Sequence, residues 1–251
     1  MNSKESKTVF TIAKIFSLFS MEKEEIGIRE ASQILGIYPS NVHRLFSSLE
    51  KCGFLEKDEN RRYRLGEKIF EIGSLYPFSF PLRKIVRPHA EELAKIHNTG
   101  VHFGILSKHP PYSVIIIDRI INFESSSQIH RISYNIPVHT SGVGKAILAF
   151  LPLKERDEIL ASLVLTKFTE NTITDKKRLL AALEKIREDG YAVDRAETHL
   201  NIFCVAAPIF QNEKVVGSLS LTDSGGRLNE KKFKEVGRAL KERTEFISRQ
   251  L

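Results

Sequence analysis

Over the first third of the chain, apolar residues recur at helical intervals and are cut by short polar breaks. In "SKTVFTIAKIFSLFS", Val9, Ile12, Ala13, Phe16 and Phe19 keep a helical period, and "MEKEEIG" ends the run. "IREASQILGI" follows, with Ile28, Ala31, Ile34 and Leu35 on one side and Gly36 placed to stop it. A third helix is predicted from Pro39, with Val42, Leu45, Phe46 and Leu49 at i, i+3, i+4 and i+7 and Gly53 at its C′ position. "FLEK" and "RRYRL" flank the polar "DEN" and suit a small hairpin. Three helices with a tight turn between the second and third, then a hairpin, predict a winged helix-turn-helix over residues 1–65. "GEKIFEIGSLY" reads as a connecting helix carrying Ile69, Ile72, Leu75 and Tyr76, and "PFSFP" breaks it, so residues 66–81 form a linker.

From residue 82 to 251 the period changes repeatedly. A long helix is expected through "LRKIVRPHAEELAKIH", kinked or restarted at Pro88. "VHFGILS", "YSVIIIDRI" and "SQIHRIS" read as strands, followed by helical "GKAILAFL", "LKERDEILASL" and "DKKRLLAALEKIRED". "GYAVD", "FCVAAPIF" and "KVVGSLSLTD" return to strand before an amphipathic closing helix. Strands adjacent in sequence, with helices grouped between and after them, predict an antiparallel sheet flanked by helices, an α+β sensor-type domain.

Composition narrows the partners. No apolar run approaches the ~20 residues of a membrane helix, and "MNSKESK" lacks the apolar segment of a signal peptide. Two cysteines, Cys52 and Cys204, are too few for a disulfide framework, and a cytoplasmic location is the simplest expectation. The net charge of +7 permits a polyanionic partner. Residues 1–76 nevertheless hold 12 Lys+Arg against 11 Asp+Glu, a net of +1, so a DNA-binding case rests on where particular charges sit.

The polar face of the third helix is short, donor-rich and almost free of acid. Ser40, Asn41, His43, Arg44 and Ser47 stand where the second helix of such a motif meets base edges, and Arg and Asn can read guanine and adenine bidentately. Arg61, Arg62 and Arg64 in the hairpin are placed for backbone phosphate or a minor groove. The alternative is a solvated helix face beside incidental arginines.

In "HTSGVGKAILAFLP", the "GVGK" resembles part of a phosphate-binding loop. His139 replaces the first glycine, however, and Ala146 the hydroxyl that would hold magnesium, which excludes an NTPase. Ser141, Gly142, Val143 and Gly144 still lead into a helix N-terminus, where free amides and the helix dipole favour a small carboxylate. A helix-entry turn whose glycines serve only geometry is the equal alternative. Asp194, Glu197, Cys204 and the alternating Ser218 and Ser220 could line the same cavity. The histidines outside the third helix (His89, His97, His102, His109, His130, His139 and His199) lack metal spacing, Asp118 and Arg119 read as an ion pair, and G-x-S-x-G is absent. An enzyme, a metal and a cofactor are therefore not expected.

Across nearly its full length the chain resembles the isocitrate lyase regulator (IclR) family of bacterial transcription factors. The matching stretches are "IREASQILGI", "NVHRLFSSLEKCGFLEK", "RRYRLGEKIFEIGSL", "NTGVHFGIL", "DRI", "IPVHTSGVGKAILAFLP", "NTIT", "KIREDGYAVDRAE", "FCVAAPIF" and "VVGSLSL". The resemblance implies a winged helix-turn-helix joined by a linker helix to a GAF-like effector domain. It also implies homodimers or dimers of dimers on palindromic operator DNA, and a small-molecule effector such as an organic or sugar acid. Its effector pocket would take in Thr140, Ser141, Gly142, Val143, Gly144 and Ala146, with Asp194, Glu197, Cys204, Ser218 and Ser220. Departures from the family pattern fall at Thr99-Gly100, Tyr134-Asn135 and "TDSGG". The expected function is an effector-responsive repressor. The rivals are a small-molecule enzyme with a vestigial helix-turn-helix and a protein-interaction module.

Overall fold

The computed structural model describes residues 6–20, 22–121, 136–224 and 226–251. The strand expected in "SQIHRIS", together with His130 and Tyr134-Asn135, lies outside them. The chain divides into two compact units, one ending at Ser79 and one starting at Phe80.

The first unit contains α1 (Lys7–Phe16), α2 (Ile28–Leu35), α3 (Pro39–Lys51), β1 (Leu55–Lys57), β2 (Tyr63–Leu65) and α4 (Glu67–Leu75), closed by a 3-10 turn at Tyr76–Ser79. Gly36 stops α2 at φ +66°, a left-handed conformation that only glycine adopts without strain, and this allows the tight turn into α3. Val42, Leu45, Phe46 and Leu49 are buried together with Ile15, Ile26, Ala31, Leu55 and Tyr63. The Phe46 and Tyr63 rings meet edge to face at 5.0 Å, tying α3 to the hairpin. Ile26 bridges Tyr63 through paired 2.9 Å backbone bonds, so the segment before α2 joins the hairpin edge. On α1 the core residue is Ile15, with Val9 and Ala13 of the expected face exposed. The phase of a short helix depends on its partners, and the α2–α3 platform selected a neighbouring stripe. No residue of α4 is buried.

The second unit is a six-stranded antiparallel sheet in the order β5-β4-β3-β8-β7-β6. Its strands are β3 (Gly100–Leu106), β4 (Ser113–Ile120), β5 (Ile136–Pro137), β6 (Ala192–Arg195), β7 (Phe203–Gln211) and β8 (Lys214–Asp223). One face packs against α5 (Pro81–His97) and α9 (Glu230–Ser248), around Val86, Leu93, Phe103, Leu219, Leu221 and Leu240. The other carries α6 (Gly142–Phe150), with α7 (Leu153–Ser162) and α8 (Lys176–Asp189) around it. α5 runs through Pro88 as one helix, without the expected restart. Asp118 does not pair side chain to side chain with Arg119. It binds Arg83 at 3.1 Å and Arg87 at 2.9 Å, both from α5, because consecutive strand residues point to opposite faces.

Candidate functional site

Two sets of residues stand out, one in each unit. On α3, Ser40, Asn41, His43 and Arg44 are exposed on the side opposite the core, and Ser47 is half-buried at the edge of that face. Pro39, which has no N–H, occupies the first turn, the Asn41 amide donates to the Tyr38 carbonyl at 3.0 Å and no side chain caps the helix start, so the Ser40 amide remains available to an acceptor. In the hairpin turn, Arg61 adopts a left-handed conformation (φ 61°) and forms no ion pair among the described residues. Arg64 pairs only with exposed Glu56 across the hairpin, a contact of little net strength. Arg62 is committed elsewhere. Its guanidinium donates to the Glu25 carbonyl at 2.9 Å and to Glu30 at 3.3 Å, holding the hairpin to α2. Arg62 thus has a structural role in the hairpin that Arg61 and Arg64 lack, a distinction that three arginines clustered in sequence could not reveal.

In the second unit, Ser141 caps α6, accepting from the Gly144 amide at 3.0 Å, while its carbonyl accepts from Lys145. The amides of Gly142 and Val143 are left as first-turn donors without an intrahelical acceptor. Gly144 is required by close approach, since a Cβ there would lie 2.3 Å from the Val138 carbonyl oxygen. A Cβ on Gly142 would stand 3.0 Å from Cys204 Sγ and 3.3 Å from Ala206, which sets the helix entry directly on β7.

Beside this entry, the segment after β6 is tightly held. Thr169 and Thr172 donate to the carbonyls of Ala196 (2.7 Å) and Glu197 (2.6 Å), and the Glu197 amide donates to Asp194 Oδ1 at 2.8 Å. Lys145 Nζ donates to the Val193 carbonyl at 2.9 Å and pairs with buried Glu197 Oε1. Thr198 Oγ1 donates to Thr140 Oγ1 at 2.9 Å. Burial pushes the Asp194 carboxyl up to about 7, against the pull of the Lys145 charge. Burial likewise holds the Cys204 thiol at about 12, leaving it protonated and unsuited to nucleophilic work.

Two buried polar atoms near this point lack full partnering: Glu197 Oε2 has none, and Ser220 Oγ has only the weakly bonding Cys204 thiol beside it; Arg119 Nε, farther along the sheet on β4, is also without a partner. An orphaned buried polar group costs about 1–3 kcal/mol, so a ligand that satisfies several of them would be well paid in affinity. A groove of about 320 Å³ between α8, β6 and α9 reaches Lys145 and Glu197 from the side.

Of the expected pocket residues, Ser141, Gly142, Gly144, Asp194, Glu197, Cys204 and Ser220 come together, with Thr140 behind them. Ser218 spends its hydroxyl on the Ala207 carbonyl at 2.9 Å. The side chains of Val143 and Ala146 belong to the apolar cluster under α6 rather than to a polar cavity, because their helical phase faces the sheet. Lys145, His102, Arg119 and Thr222 also reach the site region. Lys145 closes the "GVGK" stretch and was legible there; the others depend on strand register. Among the described residues no group of His, Cys, Asp or Glu could hold a metal ion, and no helix is long and apolar enough to cross a membrane.

Comparison with known proteins joins the two halves. Residues 12–59 match the IclR helix-turn-helix domain and residues 76–249 the bacterial transcriptional regulator IclR C-terminal domain. The chain belongs to the IclR family. It is 29% identical to the HTH-type transcriptional regulator XynR of Escherichia coli K12 over 240 residues, which cover 95% of this chain and 94% of that protein. Among solved structures it is similar to the Thermotoga maritima IclR (31% identity, TM-score 0.67, covering 98% and 97% of the two chains). An IclR homolog from Microbacterium hydrocarbonoxydans, crystallised with 4-hydroxybenzoate, shares the fold (21% identity, TM-score 0.73, covering 98% and 100%). The match over residues 12–59 places α3 within the helix-turn-helix domain of this family of DNA-binding regulators.

Proposed function

We propose that this IclR-family protein is a cytoplasmic, non-enzymatic repressor that releases operator DNA when a small organic or sugar acid enters the second unit. The observation that carries the reading is the α6 entry, where first-turn amides without an intrahelical acceptor sit on β7 at Cys204, whose thiol neighbours the buried Ser220 hydroxyl, with the unpartnered Glu197 Oε2 held nearby by Lys145. The amides suit a carboxylate, while Ser220 and Glu197 suit hydroxyl groups on the same ligand. The aromatic acid bound by the Microbacterium homolog is a precedent for an acid on this fold.

On the DNA side, Asn41, His43 and Arg44 read base edges, while Ser40, Ser47, Arg61 and Arg64 serve phosphates and positioning. The protein acts as a homodimer on a palindromic site, and pairs of dimers are compatible with the same design. Exposed apolar side chains on α1 and α4 support this: Phe70 is 80% exposed and Leu75 66%, alongside Val9 and Phe10. Such residues in a DNA-binding unit favour a self-complementary contact. An acid that favours one arrangement of the dimer shifts the spacing of the two α3 helices, and a palindrome tolerates little change of spacing.

The test is binding of the full chain to DNA from its own upstream region, with and without candidate acids at fixed salt. Sequence-specific binding weakened by an acid supports the proposal. Binding that is only non-specific and abolished by modest salt rejects it.

A further inference from the structure

On the α6 side of the sheet, pairing register aligns four residues in one row: Arg119 of β4, His102 of β3, Ser220 of β8 and Ala206 of β7. Directly opposed residues in antiparallel pairs project from the same face. Ala206 lies under Gly142 at the α6 entry, so the row leads from the free amides to a guanidinium. Its ends are three strand spacings apart, about 14 Å between backbones, and the arginine side chain covers part of that distance.

The middle of the row is uncharged and polar. Burial keeps the His102 imidazole neutral, with its Nδ1 3.2 Å from Thr222 Oγ1, and Ser220 is fully buried with its hydroxyl free of oxygen or nitrogen partners. Arg119 differs from the other shielded cations of this unit. Arg83 has Asp118, Arg156 has Asp157 and Glu184, and Lys145 has Glu197. Arg119 has no carboxylate partner among the described residues, and its Nε is buried without an acceptor. A half-buried guanidinium keeps its charge, and its buried Nε favours an anionic acceptor.

We propose that Arg119 binds a second acidic group of the effector, making the ligand an elongated diacid of about four to six carbons, with one carboxylate at the α6 amides and the other at Arg119. His102 and Ser220 then face the middle of the ligand and meet hydroxyl or keto substituents. The inference rests on the acid-pocket reading and adds the length and second charge of the guest.

Thermal-shift titrations of the full chain with propionate, succinate, glutarate and adipate at matched ionic strength test it, using wild type, Arg119→Gln and Arg119→Lys. In wild type, at least one diacid should raise Tm at concentrations about tenfold or more below those propionate needs, as expected for one added charge-assisted contact. Arg119→Gln should abolish that advantage and leave the propionate response unchanged, while Arg119→Lys, which keeps the charge if Gln does not fold, should retain part of it. Equal responses to mono- and diacids in wild type, or a diacid preference that survives Arg119→Gln or is untouched in Arg119→Lys, would overturn the inference and leave the acid pocket standing. No response to any acid in wild type would overturn both.

Discussion

Asp194 gives the second unit a pH dependence of unusual sign. Its carboxyl is 6% exposed and sits near 7, against an ordinary value of 3.8. The folded state therefore holds this proton more tightly than the unfolded chain. The stabilisation is present in full below about pH 4, is lost as pH rises through about 7, and is flat beyond. Three units at about 1.4 kcal/mol each give an upper bound of about 4 kcal/mol. For a unit of this size that corresponds to roughly 10 °C in Tm. The perturbation is Asp194→Asn, which keeps an oxygen for the Glu197 amide and removes the proton. Thermal melts at half-unit steps from pH 5 to 8 should show wild type losing stability relative to the variant, with most of the difference developing below pH 7.5. The same protonated carboxyl can donate to an acid ligand, so effector affinity should also fall over this window in wild type and much less in the variant. Parallel stability profiles for the two proteins would refute the assignment, since other titrating groups are common to both.

Other consequences follow from single contacts. Phe46→Ala removes a fully buried ring packed on Tyr63 and should cost the first unit about 3–5 kcal/mol, seen as a loss of both its urea midpoint and DNA binding. Gly144→Ala forces a methyl against the Val138 backbone and should destabilise the second unit by about 1–3 kcal/mol or more in the same assay, with DNA-unit stability unchanged. Arg61→Ala should weaken DNA binding and reduce the salt slope by about one without changing stability, whereas Arg62→Ala should lower the first unit's melting temperature because the Glu25 carbonyl loses its donor and Glu30 is left with Lys23 alone. Phe70→Glu on α4 should leave monomer stability within about 0.5 kcal/mol and shift light-scattering mass toward the monomer.

The local signals in the sequence carried much of this fold. The spacing of Val42, Leu45, Phe46 and Leu49, the left-handed Gly36 and the first-turn Pro39 all report backbone requirements that act within a few residues, and α3 formed as the pattern implies. The strand "KVVGSLSLTD" likewise spans β8 from Lys214 to Asp223. What the sequence left hidden depends on distant partners. Arg61, Arg62 and Arg64 look alike in a row, yet only the fold shows Arg62 spent on Glu25 and Glu30. Asp118 and Arg119 are neighbours in sequence on opposite faces of β4. Val143 and Ala146 sit in a polar-looking loop motif while their helical phase turns them into the core. The row from Arg119 to Ala206 draws on four strands whose register no local pattern encodes.

The most direct test of the account measures binding of a fluorescent duplex from the gene's upstream region by fluorescence anisotropy at several salt concentrations, for wild type and Arg44→Ala. Wild type should bind that duplex more tightly than a scrambled one, and Arg44→Ala should lose about 1–3 kcal/mol of that discrimination while its melting temperature is unchanged. Equal affinity of wild type and Arg44→Ala for the specific duplex would contradict the assignment of the α3 face as the reading surface.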